Sequence, residues 1–289
     1  MPNIKKILLP VDFPDPALRV IHQAATLARQ FHSEIVVLHV ATALSRAAGE
    51  PVEGHDVAGG EVLAKISEEA RKSNDHSLGL ELDGVTTRGL LINGDTTQVI
   101  LETAQGENAD LIMMPSYGQA FDQFLVGSVT PKTLYAINCP VWTDGHVEES
   151  SLNEFTIRSV LCAVDFKSHS HKVLSWAVEL AAEFGAQLTI AHITAGVEFW
   201  GPGGSYVNPE WKAAVVGDAA DHLAELQRDL GVHAHVHIGS GDVAKGLRQA
   251  AQETQADLLV TGCQPYGGYL RSHGYAIISA MPIPVVSVR

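Results

Sequence analysis

Only three of the 289 residues are cysteine, namely Cys139, Cys162 and Cys263, and no Cys-x-x-Cys pair occurs. That excludes a disulfide framework, fits a reducing cytoplasm and leaves the thiols to be read as small buried apolar groups. Positive charge is also scarce: 19 Lys+Arg stand against 33 Asp+Glu, a formal net charge of −14, and both halves of the chain are acidic. Nothing supplies the broad cationic face that a phosphate backbone or an anionic lipid surface requires, so neither nucleic acid nor membrane is expected as a partner. No apolar run approaches the ~20 residues of a membrane-spanning helix, and the opening Met1–Lys6 leads into too short a run for a signal peptide. There is no nucleophile elbow, Walker A loop or paired-carboxylate site, so no catalytic residue is assigned and no enzyme is expected. What is present is a globular composition, 46% hydrophobic and 18% charged. At roughly 100–200 residues per domain, the length suggests two domains.

The chain repeats itself. Ile7-Leu8-Leu9-Pro10-Val11-Asp12-Phe13 recurs as Val160-Leu161-Cys162-Ala163-Val164-Asp165-Phe166, 153 residues on, and the same offset carries His39 onto His192. Gly94-Asp95 and Asp110-Leu111 recur as Gly241-Asp242 and Asp257-Leu258 at an offset of 147, and Pro140-Val141 recurs as Pro284-Val285 at 144. A framework that persists while the offset shrinks marks a tandem duplication with shortened loops. The expected domains are 1–147 and 155–289, with 148–154 as the linker.

Each copy alternates apolar strands with amphipathic helices. Strands are expected at Ile7–Val11, Glu34–Val40, Gly84–Leu91 and Asp110–Met114, then at Val160–Val164, Gln187–Ile193, Val232–Ile238 and Asp257–Thr261, with a last strand after Pro140 and Pro284. In copy one, a helix capped by Asp15-Pro16 carries Leu18, Ile21, Ala25, Ala28 and Phe31 inward. Further helices are expected near Glu61–Asn74, Thr96–Gln105, Pro209–Leu230 and Asp242–Thr254. Strands that are apolar without alternation, joined by helices, predict a parallel sheet covered on both faces. Its ligands would sit beyond the carboxyl ends of the strands, where strand order reverses.

In this order and spacing, seen twice, the strand ending in Val-Asp, the His closing strand two, the Asp-Leu opening strand four, Gly127-Ser128-Val129-Thr130 and Cys139-Pro140-Val141 resemble the universal stress protein family in its tandem form. The resemblance implies an α/β fold of two tandem doubly wound domains. Each would hold a five-stranded parallel sheet, adenine nucleotide alpha hydrolase-like, and the two would pack about a pseudo-two-fold axis. Val141-Trp142-Thr143 and Val285–Val288 would cover one another as an intramolecular pseudo-dimer, which leaves either a monomer or a further homodimer. Members divide into those that bind ATP and those that do not. In the binding members a Gly-x-x-Gly loop, nine residues and then Gly-Ser or Gly-Thr bring backbone N–H groups to the phosphates. Carried onto this chain, that implies Asp12 near the ribose, Val40 near the adenine, and Gly118, Gly127, Ser128 and Val129 around the phosphates, with Mg²⁺ accompanying the nucleotide.

The departures from that pattern are specific. Pro115 stands where the first glycine belongs, the spacing is one residue short, and the loop holds Asp122 but no Lys or Arg. Copy two keeps Gly262 but has Pro265 and Arg271-Ser272, so its site is read as lost. The expectation is a cytoplasmic stress-response module that binds ATP or another adenine nucleotide in domain 1 only. The alternative is a scaffold without nucleotide that acts on an unknown protein partner. Asp12 and Asp165 each have a structural reading as caps of the turn that follows, and Gly127-Ser128 as the cap of a helix. His233, His235 and His237 share one face of an expected edge strand without a carboxylate beside them, so no metal is assigned. Phe199–Tyr206 is read as an aromatic, glycine-rich loop, either a lid over the second cleft or packed on its own domain.

Overall fold

The computed structural model describes residues 4–11, 18–41, 82–115, 129–145, 155–194, 198–201, 204–263 and 273–289. Two compact units divide it, one formed mainly by residues 3–144 and the other by 157–289.

The first unit runs β1 (Lys6–Val11), α1 (Leu18–Phe31), β2 (Glu34–Ala41), β3 (Thr87–Asn93), α2 (Thr96–Gly106), β4 (Leu111–Met114), α3 (Val129–Ala136) and β5 (Val141–Thr143). Its strands lie in the order β3-β2-β1-β4-β5, all parallel. The second unit repeats this with β6 (Ser159–Ala163), α4 (Ser170–Phe184), β7 (Gln187–Thr194), α5 (Pro209–Leu230), β10 (His235–Ser240), α6 (Val243–Glu253), β11 (Leu258–Gly262), α7 (His273–Ala280) and β12 (Val285–Val288). There the order is β10-β7-β6-β11-β12, again parallel. Central strands read as unbroken apolar runs because helices cover both faces: Ile7, Leu8, Leu9, Ile35, Val36, Val37 and Leu38 are fully buried.

The repeated motifs each have a structural cause. The Asp of Asp-Leu binds backward: Asp110 Oδ2 accepts the N–H groups of Lys5 (2.8 Å) and Lys6 (2.9 Å), and Asp257 Oδ2 those of Arg158 (2.7 Å) and Ser159 (2.9 Å). One carboxylate thus satisfies two backbone donors where the first strand of its repeat begins. In Gly-Asp, the Asp caps the following helix, Asp95 Oδ1 accepting from the Gln98 N–H (3.0 Å) and Asp242 Oδ1 from the Lys245 N–H (2.9 Å). The glycine before it turns the chain, at φ +105° for Gly241, a region that a side chain would strain. His39 and His192 do one job: their Nδ1–H groups donate to the carbonyls of Val11 (3.1 Å) and Val164 (2.8 Å), tying strand two to the end of strand one. In the first unit the indole of Trp142 is fully buried and its Nε1–H finds Gln23 Oε1 at 2.7 Å. Phe155 stands edge-on to Trp142 at 5.9 Å and gives its N–H to His22 Nε2, so it packs with the first unit.

Some boundaries differ from expectation. Strand β3 begins at Thr87 rather than Gly84, because residues 82–85 form a turn in which Gly84 has φ +77°. Strand β10 begins at His235 rather than Val232. The aromatic loop is a hairpin, β8 (Glu198–Gly201) antiparallel to β9 (Gly204–Val207), with Phe199 opposite Tyr206 and Trp200 opposite Ser205. The helix expected at Glu61–Asn74 and the cap at Asp15-Pro16 lie outside the described residues.

Candidate functional site

In a doubly wound sheet of this order the crevice opens between the first and fourth strands of each repeat, and the two repeats differ there. Strands β6 and β11 pair through four successive positions, from Val160–Leu258 to Ala163–Thr261. Strands β1 and β4 pair only at Ile7–Leu111 and Leu8–Ile112. The next positions would reach Pro10, which has no N–H to give to a ladder, where the second repeat has Ala163. Pro115 follows β4 directly. In the first unit the ladder therefore stops short of the carboxyl ends where the crevice lies.

Of the expected ligand residues in this unit, Val40 and Val129 are described. Val40 is buried near the end of β2, in register with Ile92. Its side chain belongs to the core, which leaves its backbone as the part available at the strand end. Val129 is half-buried and opens α3. Asp12, Gly118, Gly127 and Ser128 lie outside the described residues, as do Pro265, Arg271 and Ser272 of the second repeat.

In the second unit the corresponding position is occupied by the chain itself. Asp165 Oδ1 accepts the Lys167 N–H (3.1 Å) and the Ser170 hydroxyl (3.3 Å), while Oδ2 meets Lys167 Nζ at 3.1 Å. Partial burial would raise the Asp165 carboxyl, but the hydrogen bonds from Lys167 and the charges of His169 and Lys167 outweigh it and hold the group below the usual carboxylate range. Asp165 caps its own turn, as the structural reading of this residue has it. Gly262 is explained by its neighbour: a Cβ there would fall 2.4 Å from the ring atoms of His169. The glycine makes room for an imidazole where the family loop would need it to approach a phosphate. Phe166 completes the cover, stacked on His192 with ring centroids 4.1 Å apart and tilted against His222 at 5.1 Å.

Sequence reasoning did not single out Phe166 or His222 as site residues. The Asp-Phe pair recurs in both copies, which was a signal; a contact between loop and helix 56 residues apart was not readable. Elsewhere, His237 Nδ1 approaches Glu253 Oε2 at 3.6 Å, a carboxylate that α6 supplies from across the fold. Among the described residues no three His, Cys, Asp or Glu side chains are grouped to hold a metal ion. None of the three cysteines is in a disulfide. Burial pushes the thiols of Cys139 and Cys263 up, to about 12 and about 11, and that of Cys162 higher still, which makes them poor nucleophiles.

The universal stress protein family profile matches residues 3–143 and again 156–289. The chain belongs to the universal stress protein family. One curated member, from Methanocaldococcus jannaschii, is 30% identical over 138 residues, covering 47% of this chain and 79% of its own length. Another, from Thermus aquaticus, is 32% identical over 139 residues, covering 47% of this chain and 96% of its own. Each such relative spans about one repeat. Over the whole length the fold resembles the crystal structure of a universal stress protein from Archaeoglobus fulgidus, at 23% identity and TM-score 0.66, covering 98% of both chains. It also resembles a universal stress protein structure from Pseudomonas aeruginosa, at 16% identity and TM-score 0.68, covering 99% of this chain and 94% of that one. Tandem organisation and the α/β fold with parallel sheets are therefore family features here. No helix among the described residues is long and apolar enough to cross a membrane.

Proposed function

We propose that this protein is a cytoplasmic stress-response regulatory module that binds ATP or another adenine nucleotide, with Mg²⁺, in domain 1 only, and that it is not an enzyme. Domain 1 (1–147) would hold the ligand between Asp12, the backbone at Val40, and the loop and helix start formed by Gly118, Gly127, Ser128 and Val129. Domain 2 (155–289) would serve as its structural partner. The observation that carries the asymmetry is the contrast at the two crevices. In the second repeat the ladder is complete, Asp165 is tied to Lys167 and His169 lies on Gly262. In the first, the ladder ends at Leu8–Ile112. A second reading, a scaffold acting on a protein partner without nucleotide, is favoured by Pro115, which removes an N–H at the position of the loop's first glycine.

Calorimetric titration of ATP and ADP with Mg²⁺ into the full chain, repeated on Gly127→Arg, separates the two. The expected result is one saturable site per chain, lost in the variant. Two sites would overturn the assignment to domain 1 alone. No heat at millimolar nucleotide with folded protein would leave the scaffold reading in its place.

A further inference from the structure

Phe166 is bulky and aromatic, yet its backbone is left-handed, with φ +60°. Gly, Asn and Asp are the residues that ordinarily accept this region, so a phenylalanine there is strained and must be held by what its ring contacts. Two imidazoles are among those contacts. His192 comes from β7 and lies 4.1 Å from the Phe166 ring at an interplanar angle of 29°; His222 comes from α5 and lies 5.1 Å away at 30°.

Neither imidazole depends on Phe166 for its orientation. The His192 Nδ1–H is fixed by the Val164 carbonyl at 2.8 Å, and the His222 Nδ1–H by the carbonyl of Asp218, one turn earlier, at 2.9 Å. Two flat rings are thus set by separate elements, and the β6–α4 turn brings a third flat ring to them. We propose that Phe166 is an internal ligand. His192 and His222 form a receptor for a planar aromatic ring, and the chain occupies it with its own side chain and so closes domain 2.

The ligand class is a planar aromatic system, nucleobases included, held by ring stacking. An external ring that displaced Phe166 would release the strained turn, and with it the Asp165–Lys167 pair. This inference does not require nucleotide binding in domain 1.

The test uses the full chain with Phe166→Gly and Phe166→Asn, both compatible with a left-handed turn. Adenosine is added to millimolar concentration while the imidazole NMR signals of His192 and His222 are followed. Saturable shifts of both signals are expected in the variants, with an apparent affinity at least tenfold weaker in the unaltered chain. The proposal is overturned if the unaltered chain responds as strongly as the variants. It is equally overturned if a variant that unfolds cooperatively, and so is folded, shows no shift at either ring. Because the readout lies on domain 2 rings, a failure of the domain 1 proposal appears separately, in the calorimetric titration.

Discussion

Where the strands of the first repeat begin, Lys6, Glu34, Arg88 and Glu107 join in one network of charges; the duplicate positions of the second repeat hold no such network. Arg88 on β3 grips Glu107 with two bonds, at 2.6 and 3.2 Å, and Glu34 with a third at 3.1 Å, while Lys6 Nζ reaches Glu107 at 3.0 Å. The duplicate positions are His235, Thr254, Gln187 and Ser159, and what remains is the Ser159 hydroxyl donating to the Thr254 carbonyl at 3.2 Å. The topology is the same in both, so the network is not needed to specify the fold. Identity of fold is carried by the elements that did persist: the buried strand runs, the Asp110 and Asp257 carboxylates and the strand-tying histidines. The two repeats have diverged at both ends of their sheets, in charge at the amino ends and in crevice closure at the carboxyl ends.

The strongest way to break the equivalence is at Trp142. Trp142→Ala should cost about 3–5 kcal/mol and lower the denaturant midpoint of the first unit alone. Val286→Ala, at the same position of the second repeat, should cost about 2 kcal/mol, in proportion to the smaller side chain. A loss from either substitution that spreads to both units in chemical denaturation would contradict the assignment of a separate core to each unit. Next in size, Asp110→Ala and Asp257→Ala should each cost about 2–3 kcal/mol, since each strands two backbone donors at a strand start. Here the repeats should respond alike, and a difference above about 1 kcal/mol would show that one carboxylate has taken on a further task.

A smaller effect sharpens the contrast in charge. Hydrogen bonds from Arg88 and then Lys6 hold the Glu107 carboxyl below its ordinary value, against the opposing effect of burial. A carboxyl lowered by folding adds stability above its unfolded pKa, and that stability is lost as pH falls through the lower folded value. Glu107→Gln should therefore destabilise the first unit by about 1 kcal/mol at neutral pH, for a partly exposed network, and the difference from the unaltered chain should shrink as pH falls below the ordinary carboxylate range. Urea titrations at pH 7 and pH 3.5 measure this. Thr254→Ala, its counterpart, should show no such pH dependence.

Much of the fold could be read from the chain because central parallel strands are apolar on both faces. The helix expected near Pro209–Leu230 spans those residues, and the structure shows why it starts there: Asn208 caps it and Pro209 opens it. Edge strands β3 and β10 were displaced by two or three residues, because half-covered strands mix polar and apolar residues and lose their signal. The β8–β9 hairpin was hidden by its glycines, which read equally well as loop. The site was less legible. That Gly262 serves His169, and that Asp165 serves Lys167, depends on turn geometry and on contacts across many residues, which no local pattern encodes. The histidines at 39 and 192 were singled out because they recur, and recurrence was the clue that transferred best into structure.

The clasp at Asp110 also bears on how the chain is born. It joins residues separated by 105 positions, and its twin joins residues separated by 99. A strand pair of such span cannot form until the whole intervening segment has left the ribosome, and a high contact order makes its closure a slow event. Closure entropy grows only with the logarithm of loop length, so the few residues trimmed from the second copy alter that barrier negligibly. Synthesis order then does what loop length does not: the first repeat can close its central strands before Ser159 is made, and the second starts only after it.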